Sequence, residues 1–88
     1  MNYGLHYSSR FRKRYKRLPP SLRRKVVECL HLLLKNEFNP LLGNHSLHGS
    51  YVGCRSVNIT GDIRLIYEKY VDGLLNLITL GTHSELYE

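Results

Sequence analysis

The chain has 88 residues, which is enough for one small domain with one hydrophobic core. Its hydrophobic fraction of 42% argues against disorder. The net charge of +6 favours an anionic partner such as nucleic acid, an anionic membrane or an acidic protein. This charge is uneven, because nine of the thirteen Lys and Arg residues precede residue 26, where there is no Asp or Glu.

The cysteines and the hydropathy favour a cytoplasmic protein. Cys29 and Cys54 have neither CxxC nor metal-ligand spacing and lie in apolar patterns, so we expect two reduced, buried thiols. The first residues lack the apolar core of a signal peptide. The longest apolar run is far too short to span a membrane. We therefore expect a soluble cytoplasmic protein with no membrane partner.

The first half of the chain predicts a strand followed by two helices. Apolar and polar residues alternate over positions 2–7, which indicates a strand, and Ser8 or Ser9 can cap the helix that follows. Pro19-Pro20 ends this basic helix, and the pattern of the second helix fades at Lys35-Asn36. The short connection makes the two helices antiparallel. The predicted apolar stripes are Phe11, Tyr15 and Leu18 in the first helix and Leu22, Val26, Cys29, Leu30 and Leu33, flanked by Val27 and Leu34, in the second.

The second half predicts a long loop and three strands. Residues 37–50 are rich in Gly, Asn and Pro, and so long a loop in a small domain is often functional. The period then changes to two, with strands over 51–59, 63–70 and 74–80. The last connection contains Asp72-Gly73, a common turn pair. Connections of this length make the three strands antiparallel neighbours.

The order of these elements predicts an α+β fold in one domain over residues 1–88. We expect two antiparallel helices on one face of a mainly antiparallel four-stranded sheet, with a short C-terminal tail or helix. The other face of the sheet would be partly open, and polar strand residues there could line a concave site.

The second half also contains most of the groups capable of acid–base chemistry. Two histidines beside one phosphodiester are enough for RNA cleavage without a metal, one removing the 2′-hydroxyl proton and the other protonating the leaving oxygen. A cation such as Arg55 or Arg64 would stabilise the charge on the phosphate. Zinc binding is a weaker alternative, because no His/Cys pair has a usual structural spacing. The candidate acid–base groups are His45, His48, Asp62 and His83.

Each of these signals also has a structural interpretation. His83 follows a strand directly and could be a solvated strand end, with Tyr87 closing the core. Tyr51 and Tyr87 could stack on bases, whereas Tyr67 fits better in the core. The basic first helix could be a solvated surface, although cations without anions also suit attraction to a phosphate backbone.

Two motifs resemble those of the YafQ-type toxins of the RelE superfamily. The series H-x-L-x-G, G-x-R, D and Y from His45 to Tyr67 is similar to the middle of these toxins. The ending Gly-Thr-His-Ser-Glu-Leu-Tyr, residues 81–87, is similar to their C-terminus. The helical half, with its Phe11-x-Lys13 motif, is similar as well, so the resemblance covers nearly the whole chain.

This resemblance implies a RelE-like fold and the toxin of a bacterial or archaeal type II toxin–antitoxin module. Such a toxin cleaves mRNA in the ribosomal A site without a cofactor, is inhibited by a cognate antitoxin, and meets operator DNA only through that antitoxin. The antitoxin segment is expected to be acidic and to fold on binding. The resemblance implies catalytic roles for His45, Asp62 and His83, and we expect substrate contacts from Arg55, Asn58, Tyr87 and Lys13.

The sequence departs from the family pattern at two positions. Asn58 stands where these toxins often carry another histidine, and an amide cannot exchange a proton at useful pH. Ile63 stands where some members have tryptophan. A weakly active or inactive module that binds RNA, ribosome or antitoxin is therefore the alternative, with a purely structural subunit as a third. The sequence does not decide whether His45 or His48 faces the site.

Overall fold

The structure, a computed structural model, describes residues 4–87, and Tyr3 of the predicted first strand lies outside this range. Residues 4–87 contain three helices, five strands and two short 3-10 turns. The bounds of the two long helices and of the last two strands lie within two residues of the predicted ones. The elements are β1 (Leu5–Tyr7), α1 (Ser9–Arg17), α2 (Pro20–Lys35), β2 (His45–Ser46), β3 (Arg55–Asn58), β4 (Ile63–Lys69), β5 (Leu75–Thr82) and α3 (His83–Tyr87), with 3-10 turns at Pro40–Leu42 and Gly49–Tyr51.

The strands form one sheet in the order β1-β5-β4-β3-β2. β1 is parallel to β5, and the other three pairings are antiparallel, which confirms a mainly antiparallel sheet. The sheet has five strands where four were predicted. The fifth, β2, is two residues long and pairs His45 with Ser56 and Ser46 with Arg55. Two residues are too few to show an alternating pattern, so the sequence did not predict this strand, which lies within the predicted loop.

Prolines and a serine cap set the limits of the first two helices as predicted. The Phe11 amide donates to Ser8 Oγ at 3.1 Å, which makes Ser8 the N-cap of α1. α1 ends at Arg17, and α2 begins at Pro20, where the missing amide hydrogen costs no helical bond. The second helix ends at Lys35, where the apolar pattern fades.

Both helices pack against the same face of the sheet and form the main core with it. Tyr67 is completely buried there, which confirms the prediction that it is a core residue, and Cys29 is buried as a free thiol. Val27, expected to flank the stripe of α2, is 41% exposed. The buried residues of this cluster are Phe11, Val26, Cys29, Leu30, Leu33, Leu42, Val57, Leu65, Tyr67, Leu75, Leu77 and Leu80.

The strand predicted over residues 51–59 is shorter in the structure. Residues Gly49–Tyr51 form a 3-10 turn, and Gly53 has a φ of +88°, so the chain reaches extended backbone only at Arg55. Aromatic and β-branched residues at 51 and 52 produced the strand pattern, but the flanking glycines adopt turn conformations that a strand cannot contain. β4 and β5 differ less, and β5 extends two residues beyond Leu80 to Thr82.

The second face of the sheet is covered only in part. A small cluster of Leu47, Cys54, Ile66 and Leu86 lies on this face, so the loop before β3 and the helix α3 cover its middle. Among residues 4–87, each helix is too short or too polar to cross a lipid bilayer. The uncovered part of this face forms an open cavity.

Candidate active site

The cavity lies on the sheet face opposite α1 and α2 and has a volume of about 420 Å³. Its position follows from strand alternation: Val57 is in the main core, so its neighbour Ser56 faces the other side. β2, β3, β4 and the β5–α3 junction each contribute side chains. The lining residues are His45, Ser46, Leu47, His48, Ser56, Arg64, His83 and Tyr87.

His45 is held by a hydrogen bond that defines which ring nitrogen is free. Its Nδ1 lies 3.0 Å from the carbonyl oxygen of Gly43. Because a carbonyl only accepts, Nδ1 must carry the proton, and in the neutral ring the lone pair is on Nε2. A neutral His45 can therefore accept a proton at Nε2. His48 also lines the cavity, so both histidines of the His45-x-x-His48 pair reach it.

His83 and Tyr87 lie one helical turn apart in α3. His83 is the first residue of the helix, and the two ring centroids are 4.7 Å apart. Tyr51 meets Tyr87 edge-on with centroids 5.8 Å apart. Burial and the neighbouring Tyr51 raise the pKa of Tyr87, so its phenol stays protonated at neutral pH. The imidazole and the 41% exposed tyrosine therefore form one surface at the cavity mouth.

Arg64 supplies the positive charge of the cavity. Its Nη1 donates to the carbonyl oxygens of Thr60 at 3.0 Å and Gly61 at 2.8 Å. These bonds hold the guanidinium against the β3–β4 turn. Asp62 in that turn lines an adjacent recess of about 250 Å³ that shares Arg64 and His83 with the main cavity. Asp62 is thus beside the three histidines rather than among them.

The structure does not bring the other predicted substrate residues to the cavity. Arg55 faces the helix side of the sheet, where its Nε donates to Asn44 Oδ1 at 2.6 Å and its guanidinium lies 5.3 Å from the Phe38 ring centroid. Asn58 lines a separate recess beside α2. Lys13 is exposed on α1 and does not line the cavity.

Arg55 belongs instead to a polar network around the buried Glu37. The Tyr67 hydroxyl donates to Glu37 Oε2 at 2.6 Å, Lys69 Nζ to Oε1 at 2.9 Å, and Asn44 Nδ2 to the Tyr67 oxygen at 2.7 Å. Burial alone would raise the pKa of Glu37, but these bonds and the charges of Lys69 and Arg55 lower it. The network anchors Asn44, the residue directly before His45.

Three residues of the cavity, Ser46, Leu47 and Ser56, were not among the predicted site residues. Ser56 is 1% exposed, and its hydroxyl bonds to no group among residues 4–87. Leu47 forms part of the apolar floor. A signal for Ser56 existed, because it alternates with the apolar Val57 on a predicted strand. Ser46 and Leu47 lie in a segment without periodicity, where Leu47 was marked only as the leucine of the H-x-L-x-G motif.

The histidines of the cavity do not belong to a cluster of metal ligands within the described residues. Among residues 4–87, no group of three or more His, Cys, Asp or Glu side chains is arranged to hold a metal ion. Of the cavity groups, the three histidines and Arg64 are the ones suited to proton transfer and to stabilising negative charge.

The fold is that of the RelE-like toxins of type II toxin–antitoxin modules. The family model described as "Bacterial toxin of type II toxin-antitoxin system, YafQ" matches residues 3–88. The chain belongs to this YafQ family, which confirms the resemblance drawn from its motifs. None of the curated proteins compared by sequence matches the chain.

Solved structures of similar proteins agree with this assignment. YafQ from E. coli strain BL21(DE3) is 27% identical with a TM-score of 0.79, over 98% of this chain and 99% of that one. The E. coli DinJ–YafQ toxin–antitoxin complex matches at 25% identity and a TM-score of 0.76, over 100% of both chains. The archaeal RelE–RelB complex from Pyrococcus horikoshii OT3, at 21% identity and a TM-score of 0.76 over 93% and 96%, shows the same fold.

Proposed function

We propose that this toxin is an endoribonuclease that cleaves mRNA on the ribosome without a metal and thereby inhibits translation. The observation that carries the proposal is the convergence of His45, His83 and Arg64 on one open cavity. These groups supply a proton acceptor, a proton donor and a cation, which together are the requirements for attack by a 2′-hydroxyl on its own phosphodiester.

In this mechanism His45 Nε2 accepts the proton of the RNA 2′-hydroxyl. The freed oxygen attacks the adjacent phosphorus and forms a 2′,3′-cyclic phosphate, while the bond from phosphorus to the 5′-oxygen breaks. His83 in its protonated form donates a proton to that leaving oxygen. Arg64 lies where its guanidinium can stabilise the charge on the non-bridging oxygens.

Tyr87 supplies a flat surface on which a base can stack. Its ring is 41% exposed and is supported from one side by the edge contact with Tyr51. Stacking on aromatic side chains is how proteins commonly hold unpaired RNA bases, at about 1–3 kcal/mol per base. A base stacked on Tyr87 would place its phosphate close to His83, because the two rings are in contact.

We propose supporting roles for the predicted residues outside the cavity. Asp62, in the adjacent recess, is suited to orienting His83 or the RNA, while the proton acceptor is His45. Lys13 on α1 is suited to contacting the ribosomal or messenger phosphate backbone. Asn58 and Arg55 face other parts of the molecule, and Arg64 takes the role first given to Arg55.

The test is cleavage of mRNA on programmed ribosomes by the toxin purified free of antitoxin. Wild type is expected to yield fragments ending in a 2′,3′-cyclic phosphate. His83→Ala should lower the single-turnover rate by about 10²–10⁴-fold, the usual contribution of a general acid. His31→Ala, an exposed histidine of α2, is the matched control and should cleave normally. Intact message at high toxin excess would rule out the nuclease.

A binding module without catalytic activity is the second candidate. It is favoured by Asn58, which stands where the resemblance leads one to expect a proton-transferring histidine. Such a module would occupy the ribosome with the same affinity in wild type and in His83→Ala, and neither would cut the message. An enzyme should arrest growth when expressed, whereas the binder should not.

We further propose a cognate antitoxin as the protein partner and the cytoplasm as the location. DinJ and RelB are the partners in the two related complexes. The exposed cations of α1 suit an acidic segment that folds on binding. Operator DNA would be reached through the antitoxin alone. If a short gene next to this one encodes a DNA-binding antitoxin, its co-expression should neutralise toxicity and yield a stable complex on purification.

A further inference from the structure

We propose that Glu85, held by Arg14 of α1, is the positioning residue for His83. This inference rests on the proposed nuclease function, since it explains how the general acid is held. It concerns residues that do not line the cavity. The observations that carry it are a reciprocal cap around His83, an ion pair to α1, and a glycine that leaves room for both.

The cap encloses His83 from both sides. Glu85 Oε1 accepts from the Thr82 amide at 2.8 Å, and Thr82 Oγ1 accepts from the Glu85 amide at 3.2 Å. This is a capping box, in which the residue before the helix and the third residue into it bond to each other. Because His83 is one of the two residues between them, its backbone has little freedom.

The helix needs this support because it is very short. α3 has five residues, and an isolated helix of that length does not form in water. Leu86 fixes its far end by burial in the small cluster on the open face of the sheet. The near end, where His83 lies, is fixed by the cap. Without the cap the imidazole and Tyr87 would no longer share one surface.

An ion pair ties the cap to the basic helix. Arg14 Nη1 lies 3.6 Å from Glu85 Oε2, the carboxylate oxygen that the cap leaves free. Among residues 4–87, Arg14 is the one cation of α1 that forms an ion pair. Bonds from the Thr82 amide and hydroxyl and the charge of Arg14 lower the pKa of Glu85, so it stays ionised at neutral pH.

Gly81 makes this approach possible. A Cβ at this position would lie 2.7 Å from Arg14 Nη1 and 3.1 Å from Glu85 Oε1. Gly81 does not have a positive φ, so its backbone conformation does not call for glycine. The glycine instead leaves space for the side chains of Arg14 and Glu85. The residues at the junction of β5 and α3 therefore have linked roles: Gly81 leaves space for Arg14, Thr82 bonds to Glu85, and His83 lies between Thr82 and Glu85 in the chain.

The variants are designed to separate the cap from the ion pair. Glu85→Ala removes the ion pair and the bond from the Thr82 amide to the side chain, leaving only the backbone half of the cap. Glu85→Gln removes the charge but keeps the cap, because glutamine also serves in capping boxes. Arg14→Ala removes only the ion pair. Lys35→Ala is the control, an exposed cation at the end of α2, beyond the basic cluster before residue 26 and without an ion pair among residues 4–87. All four are measured for folding, for single-turnover cleavage with its KM, and for NMR contacts between the rings of His83 and Tyr87.

We expect Glu85→Ala to lose the ring contacts and to slow cleavage about 10- to 100-fold with KM unchanged, the usual result of misplacing a catalytic group by about 1 Å. Arg14→Ala should weaken the ring contacts and slow cleavage several-fold. Glu85→Gln should keep most of the ring contacts and most of the cleavage rate. Lys35→Ala should match wild type.

The opposite results are equally informative. Ring contacts and rates at wild-type level in Glu85→Ala would overturn the inference. So would a rise in KM alone in Arg14→Ala, because it would show that Arg14 binds RNA instead. If Glu85→Ala does not fold, Arg14→Ala and Glu85→Gln decide. If wild type cleaves nothing, the nuclease proposal fails, and the NMR contacts alone still decide whether Glu85 positions His83.

Discussion

Two arginines on neighbouring strands have different roles in this molecule. Arg64 lines the open cavity, held there by the carbonyl groups of the β3–β4 turn. Arg55 lies on the opposite face, bonded to Asn44 and packed under Phe38. Both are partly buried. The face of the sheet on which each arginine lies therefore distinguishes Arg64, which lines the cavity, from Arg55, which belongs to the polar network.

Substituting these arginines should separate activity from stability. Arg64→Ala is expected to reduce ribosome-dependent cleavage by about 10²–10³-fold, because a preorganised charge at the phosphate is lost. Arg55→Ala should instead lower the free energy of unfolding by about 1–3 kcal/mol, since Asn44 loses its donor in the network. Single-turnover cleavage and urea unfolding measure the two effects. Equal losses of activity in the folded variants would contradict the assignment.

The carboxylate of Glu37 predicts a defined pH dependence of stability. Its folded pKa lies below the ordinary value of 4.5, so it stabilises the fold above that pH. This stabilisation should disappear as the pH falls through the lower, folded pKa. Glu37→Gln should lose about 1–3 kcal/mol at pH 7, and its deficit should shrink in acid. Urea unfolding between pH 7 and pH 3 tests this, with the exposed Glu28→Gln as control.

At the level of elements, one serine hydroxyl connects α1 to the sheet. Ser8 Oγ accepts from the Phe11 amide at 3.1 Å and donates to the Ile78 carbonyl oxygen at 2.6 Å. It caps the helix and bonds it to β5 at the same time. This matters for the cavity, because β5 leads directly into α3 and His83. The basic helix and the proposed catalytic helix are thus joined to the same strand.

Ser8→Ala is expected to lower the free energy of unfolding by about 1–2 kcal/mol, through loss of the cap and of the bond to β5. Ser9→Ala should change it by less than about 0.5 kcal/mol, because Ser9 is exposed. Chemical unfolding followed by circular dichroism compares them. Similar losses in the two variants would show that the hydroxyl of Ser8 does not carry the difference.

Across the described residues, most of the positive charge and the candidate active-site cavity occupy different surfaces. The cations before residue 26 lie mainly on the exposed side of α1 and the start of α2, whereas the cavity contains one arginine. Attraction to phosphates is independent of sequence and weakens with salt. Binding to RNA or ribosome should therefore depend on the helices, and cutting on the cavity.

This separation predicts a strong salt effect on binding. If four cations of α1 contact phosphates, raising salt from 50 to 200 mM should weaken binding of single-stranded RNA by roughly 50-fold. Replacing Arg10, Arg12 and Lys16 by glutamine should flatten that dependence without changing the single-turnover rate at saturation. Fluorescence titration at several salt concentrations measures the slope. The same slope in the triple variant would remove α1 from the binding surface.

The sequence alone determined what depends on local pattern. Periods of two and 3.6 predicted the two long helices and four of the five strands, because side-chain alternation is a property of each segment. The Pro19-Pro20 break and the Asp72-Gly73 turn were likewise readable, since both follow from backbone restrictions. The motif from Gly81 to Tyr87 identified the family and paired His83 with Tyr87.

Only the tertiary structure decided what depends on pairing between distant segments. The two-residue β2 exists because β3 offers it partners, and it brings His45 and His48 beside His83. The bulge between Ile66 and Tyr67 shifts the register of β4 against β5. The face of Arg55, the buried network around Glu37 and the ion pair between residues 14 and 85 follow from such contacts, which no local pattern encodes.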